Sequence, residues 1–133
     1  VLITEILEAG RAVAQAAERL VLQPMTAIAE TRRYLCTHGF QIVSERLAAE
    51  GDKLYTILLC MSGKMTVTRE GYYHIGEALF RAHDPLLPRL LEKQIGKYTK
   101  MVDGLRRSVS GGGPRLAEAE RLLAEFVRMR AEL

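Results

Sequence analysis

Residues 40–60 read FQIVSERLAAEGDKLYTILLC, and this stretch decides the fold class. Phe40, Ile42 and Ser44, with Val43 and Leu47, form a strand-like run. Glu50-Gly51-Asp52-Lys53 is a turn signal, and Tyr55, Ile57, Leu58, Leu59 and Cys60 form a second run. Two such runs across a short glycine-containing turn predict an antiparallel β-hairpin. Just upstream, Leu20-Val21-Leu22 is a short, wholly apolar run closed by Gln23-Pro24. It reads as a strand buried on both faces, as in a parallel sheet, and Pro24 ends it because proline cannot donate to a ladder. Thr26 is placed to cap a helix carrying Ile28, Thr31, Arg32, Tyr34 and Leu35, with Gly39 as its stop. Before the strand, Leu2, Ile3, Ile6 and Leu7 recur at helical spacing up to Gly10, and residues 11–17 are alanine-rich. Residues 1–62 therefore read helix, strand, helix, strand, strand: the back half of an open α/β sheet.

Residues 63–84 change character. Gly63, Gly71, Gly76 and Asp84-Pro85 punctuate a linker with one short helix over Ile75–Arg81. Residues 85–133 then carry two apolar stripes. Leu87, Leu90, Leu91, Ile95, Tyr98, Met101, Val102 and Leu105 form the first; Leu116, Ala119, Leu122, Leu123, Phe126, Val127, Met129 and Leu133 form the second. Ser110-Gly111-Gly112-Gly113-Pro114 lies between them, so the two amphipathic helices make an antiparallel helical hairpin. The organisation expected is 1–62 sheet unit, 63–84 linker and 85–133 hairpin.

At 133 residues, 48% hydrophobic and 26% charged, the composition argues against wholesale disorder, collagen and a disulfide scaffold. No run is long enough to span a membrane, and the opening, with Glu5 and Glu8, lacks the basic and apolar regions of a secretory signal. The sequence starts at Val1 rather than methionine, as a processed chain or a piece of a longer one would. Cys36 and Cys60 have neither CxxC nor Cys/His ligand spacing, so no metal is expected and both read as reduced core residues of a cytoplasmic protein. No Ser/His/Asp set, P-loop or HExxH occurs.

Charge is uneven. Residues 1–62 hold six Lys/Arg against seven Asp/Glu, whereas 63–133 hold thirteen against nine. Arg89–Arg107 alone has six basic residues against two acidic. Within it Arg89, Lys93, Lys97, Lys100 and Arg107 are spaced to share one helical face opposite the apolar stripe. A row of cations suits a phosphate backbone; the plainer alternative is a solvated face. Arg32-Arg33 is a weaker patch, with at least one stem expected to pack on the sheet. Tyr72-Tyr73 either stacks on a base or anchors the linker. His38, His74 and His83 are isolated and read as caps or surface residues.

The ordered succession Arg19-Leu-Val-Leu-Gln-Pro-Met25, Thr31-Arg32-Arg33-Tyr34-Leu35, Gly39-Phe40-Gln41-Ile42, the hairpin with Lys53-Leu54-Tyr55, Ile75-Gly76 with Leu79, and Pro85-Leu86-Leu87 resembles a known family. It is the bacterial TrmK-type tRNA (adenine(22)-N1)-methyltransferases, and the resemblance spans essentially the whole chain. It implies a class I, Rossmann-like methyltransferase sheet that binds S-adenosylmethionine, followed by a coiled-coil-like hairpin. The glycine-rich cofactor turn and the acidic ribose partner that such a fold carries early are absent, so the chain resembles the C-terminal portion of the enzyme. Alone it is expected to be inactive. In this light Gln23, Pro24 and Met25 lie where ligands bind open α/β sheets, at the carboxyl end of a strand. The Gln23 amide can both donate to and accept from an adenine edge; the alternative is that it merely satisfies loop backbone. The cationic row would hold tRNA. A non-catalytic RNA-binding module, or one that associates through its helices, including with itself, is the other function class.

Overall fold

The computed structural model describes residues 3–133; Val1 and Leu2, the latter a member of the opening apolar pattern, lie outside the described residues. The chain divides into two compact units, 1–86 and 87–133.

The first unit opens with helices α1 (Ile3–Ala9) and α2 (Arg11–Ala16), then strand β1 (Leu20–Leu22), helix α3 (Ile28–Thr37), strands β2 (Phe40–Glu50) and β3 (Lys53–Ser62), and the short helices α4 (Gly71–Ile75) and α5 (Glu77–Arg81). The hairpin predicted from residues 40–60 is present. β2 and β3 pair antiparallel from Phe40↔Ser62 to Glu50↔Lys53, with a bulge between Ile42 and Ser44. The two-residue turn needs a positive φ at its first position, and Gly51 supplies it at 59°.

The sheet order is β1-β3-β2. Among the described residues β1 pairs only with β3, and antiparallel, with Leu22 opposite Leu58. It thus runs in the same direction as β2 without touching it. The expectation that β1 is buried on both faces is corrected here. Leu20 and Leu22 are half-buried, but Val21 points the other way and is 70% exposed. An apolar run of three residues cannot reveal which faces are covered, because that depends on what packs against the sheet. The core face joins Leu58, Cys60 and Phe40 of the sheet to Leu7, Ala14 and Leu35 of the helices.

Two local expectations also change. Thr26 does not cap α3: the residue before its first turn is Ala27, left-handed at φ 54°, with no side-chain cap. The first turn is tied instead by Thr31, whose hydroxyl donates to the Ala27 carbonyl at 2.9 Å. Gly39 does follow the helix in left-handed geometry, as expected of a helix stop. Over 63–84 there are two short helices rather than one, divided at Gly76. The segment is fastened to β2: Asp84 accepts the Leu47 N–H through Oδ2 at 3.0 Å and the Leu86 N–H through Oδ1 at 2.9 Å.

The second unit is the helical hairpin, α6 (Leu87–Arg106) and α7 (Gly113–Ala131). Its buried residues include Leu90, Leu91, Tyr98 and Val102 of α6 and Ala119, Leu122, Phe126 and Met129 of α7. These are members of the two apolar stripes. Tyr98 meets Phe126 edge-on with ring centroids 5.2 Å apart, a favoured aromatic geometry. Ion pairs Arg130–Glu92 (2.7 Å) and Arg106–Glu120 (3.4 Å) cross between the helices.

Candidate functional site

Strand β1 ends at Leu22, and the next five residues carry the chain into α3. Gln23 and Met25 face outward, Met25 with 69% of its surface exposed, while Pro24 is buried beneath them. Among the described residues, the Gln23 Nε2 makes only a long contact, 3.9 Å, to Met25 Sδ. Its amide therefore keeps donor and acceptor capacity. Of the three residues singled out at this edge, two are placed to touch something from outside.

Behind the edge lies a feature that the sequence pattern reveals only in part. Arg32, the second of the buried residues at 31, 32 and 35 on α3, is fully enclosed. Its Nη2 pairs with Glu45 Oε1 at 2.6 Å, the two side chains being 3% and 2% exposed. Nη1 donates to the Tyr73 carbonyl at 2.7 Å and Nη2 also reaches the Ile75 carbonyl at 3.5 Å. Burial pushes the Glu45 carboxyl above the usual carboxylate range, and the Arg32 guanidinium opposes that rise. Gly76 is required beside this pair. Its φ is 88°, and a Cβ there would sit 2.5 Å from Glu45 Oε1. A signal was present: Glu45 sits two residues before Leu47 on β2, in the inward phase of the strand, where a carboxylate needs a buried partner.

The neighbouring cations and rings are spoken for locally. Arg33, unlike Arg32, is exposed; it pairs with Glu70 at 2.9 Å and lies over the Tyr73 ring at 4.2 Å. Arg69 lies 5.3 Å from the Tyr72 ring, and Tyr72 leans on Phe80. These contacts match the anchoring alternative for Tyr72-Tyr73. His38 ends α3, stacked on Tyr34 at 3.9 Å with its Nδ1 2.9 Å from the Tyr34 carbonyl oxygen. His74 is partly buried, and that burial lowers its pKa below the ordinary histidine value. Cys60 is buried, its thiol pushed up to about 12. Across Ile57 and Leu59 an open groove of about 530 Å³ is closed at one side by Ala82, Asp84 and Pro85.

In the second unit Lys93, Lys97 and Lys100 are exposed on α6, and Arg89 is half-buried near its start. Arg107 is exposed one residue past the end of α6. Lys97 is 6.0 Å from the Tyr98 ring. α7 is different: Arg115, Arg121, Arg128 and Arg130 are matched by Glu118, Glu120, Glu125 and Glu132. The surplus positive charge of the hairpin thus belongs to α6 and its end. Among the described residues there is no group of three or more metal-ligating side chains, and no helix is long and apolar enough to cross a membrane.

Comparison with known proteins gives the family. The family model for tRNA (adenine(22)-N(1))-methyltransferase, TrmK, matches residues 1–127. A solved structure of a candidate tRNA (m1A22) methyltransferase from Streptococcus pneumoniae is 28% identical, with a TM-score of 0.75 over 98% of this chain and 55% of its own. A Streptococcus agalactiae protein of the NADB-Rossmann superfamily, 22% identical, superposes with a TM-score of 0.81 over 95% of this chain and 53% of its own. The Bacillus subtilis m1A22 tRNA methyltransferase TrmK, 18% identical, shares the fold with a TM-score of 0.80 over 96% of this chain and 57% of its own. No curated protein matches. The chain spans about half the length of these solved structures. With a match that runs through both the sheet unit and the helical hairpin, this chain belongs to the TrmK family of tRNA (adenine(22)-N(1))-methyltransferases.

Proposed function

We propose that this chain is the C-terminal portion of an S-adenosylmethionine-dependent tRNA adenine-N1 methyltransferase, supplying the substrate edge and the RNA-holding arm. The observation that carries the reading is the family match over residues 1–127, which takes in both units. The residues present do not by themselves fit the cofactor. The turn leaving β1 is Gln23-Pro24-Met25-Thr26-Ala27, without the glycines that let a backbone approach a nucleoside-type ligand, and no carboxylate stands in it. The chain alone is accordingly inactive, and its own residues have binding tasks. Gln23 hydrogen-bonds the adenine edge, Met25 covers it, and Pro24 fixes the loop. The base must leave its stack to reach this edge. Arg89, Lys93, Lys97, Lys100 and Arg107 meet tRNA phosphates, which position the substrate without reading its sequence. A tRNA substrate and free thiols fit a cytoplasmic location.

The test compares the 133-residue chain with a protein that extends it upstream through a glycine-rich turn. S-adenosylmethionine should bind the extended protein and not the chain, by calorimetry. The chain should still bind tRNA, and only the extended protein should methylate it. Micromolar binding of S-adenosylmethionine to the chain alone would remove the truncated-enzyme reading. The second reading, a non-catalytic RNA-binding module, is favoured by one observation: α6 carries a cationic face in a chain that lacks the cofactor turn. An extended protein that binds tRNA but transfers no methyl group would establish it. Self-association through the hairpin would have to use its outer faces, because Tyr98 and Phe126 already meet within one hairpin; sedimentation decides it.

A further inference from the structure

Helix α3 follows directly from the Gln23–Ala27 loop without a side-chain cap: Ala27 is left-handed, and the bond from the Thr31 hydroxyl to the Ala27 carbonyl ties the first turn only to itself, not to another element. What seats α3 is the buried set Thr31, Arg32 and Leu35. Of these only Arg32 reaches other elements through directional bonds. One guanidinium joins Glu45 on β2 to the carbonyls of Tyr73 and Ile75 on α4. Glycine at 76 lets the carboxylate lie against that turn without a clash.

A buried ion pair is a poor device for stability, since an apolar pair of similar volume avoids the cost of desolvating two charges. An apolar pair cannot hold two carbonyls and a carboxylate at set distances and angles, whereas the planar guanidinium can. We propose that Arg32 is a positioning residue: through Glu45, Tyr73 and Ile75 it locks α3 and α4 onto β2, and so sets the Gln23–Met25 edge that α3 carries. The catalytic part of this rests on the substrate reading given above; the locking part does not.

The experiment uses R32M/E45M, which removes both buried charges at similar volume. In the 133-residue chain, hydrogen exchange should leave the β2–β3 amides protected as before. The amides of Thr31, Tyr72, Tyr73 and Gly76, bonded in the native chain to the carbonyls of Ala27, Arg69, Glu70 and Tyr72, should exchange at least tenfold faster. In the upstream-extended protein, kcat for tRNA should fall at least tenfold while the affinity for S-adenosylmethionine is unchanged. Should the double variant fail to fold, R32K is read in the same two assays. It keeps the charge opposite Glu45 but not the fork, and should give the same pattern at smaller amplitude. Unchanged exchange at Thr31, Tyr72, Tyr73 and Gly76 in a folded variant overturns the lock. Faster exchange with unchanged kcat confines Arg32 to a structural role and overturns the positioning claim. Gln23→Ala separates the two ideas: full activity in Q23A removes the substrate edge while leaving the lock to the exchange result.

Discussion

In the first unit one arginine and one glutamate are taken out of water and paired, the arginine also bonded to backbone carbonyls; in the second, ten lysines and arginines stay at or near the surface of two helices. The contrast follows from what each architecture needs. Around its two strands of 11 and 10 residues, the sheet unit is assembled from short pieces, among them a three-residue strand, a ten-residue helix and two five-residue helices. Pieces that short bury little apolar surface each, so their mutual placement depends on directional bonds across elements. The hairpin has helices of 20 and 19 residues with continuous apolar stripes. Stripes of that length hold the pair together without buried charge. Its cations can then face a partner.

The sharpest way to break this comparison is to remove one charge from the buried pair. Arg32→Ala should cost about 3–5 kcal/mol of stability, because it leaves the Glu45 carboxylate buried and alone. A melting or urea titration that showed under about 1 kcal/mol would mean that water reaches the pair and that the lock is not closed. Gly76→Ala comes next, with a loss of about 1–3 kcal/mol from its positive φ and the approach of its Cβ to Glu45. If the strain is as argued, Gly76→Ala combined with Glu45→Ala should cost less than the sum of the two single changes.

Gln23→Ala in the upstream-extended enzyme should lose roughly 1–3 kcal/mol of transition-state stabilisation, the worth of one bond to a base edge. Stability should barely change, since Gln23 is exposed. An unchanged methylation rate would return Gln23 to a loop role. On the hairpin, replacing Lys93, Lys97 and Lys100 together with alanine should leave helicity intact. It should also reduce the salt slope of tRNA binding by about one unit for each phosphate that these lysines neutralise. The same number of changes on α7, at Arg115, Arg121 and Arg128, should alter the slope less, because acidic neighbours offset those charges. Equal effects from the two helices would erase the asymmetry between them.

The smallest effect concerns pH. Burial lowers the His74 pKa, so the unfolded chain binds its proton more readily than the folded one. Stability should therefore fall as pH drops below the ordinary histidine value. His74→Gln should flatten that part of the profile in melting curves between about pH 7 and pH 5. A steeper profile in the variant would show that the proton is bound more tightly in the fold.

Residue types and their spacing sufficed for the local elements. Strand-like apolar runs flanking Gly51-Asp52 specify the β2–β3 hairpin, because strand propensity and turn chemistry are both local. The stripes of α6 and α7 specify a helical hairpin for the same reason. The order Leu22-Gln23-Pro24, helix, hairpin, paired helices was enough to bring the family into view, as an ordered series is far more specific than any one motif. What only the tertiary structure decided is what lies on either side of each element. β1 reads as apolar throughout, yet it lies at one side of a three-stranded sheet with Val21 outward. Arg32 and Arg33 are adjacent and chemically identical, yet one is sealed against Glu45 and the other holds Glu70 at the surface. Adjacent helical positions point about 100° apart. Which of the two is buried depends on how α3 meets β2 and α4, and that is set by residues 13 to 43 positions away along the chain.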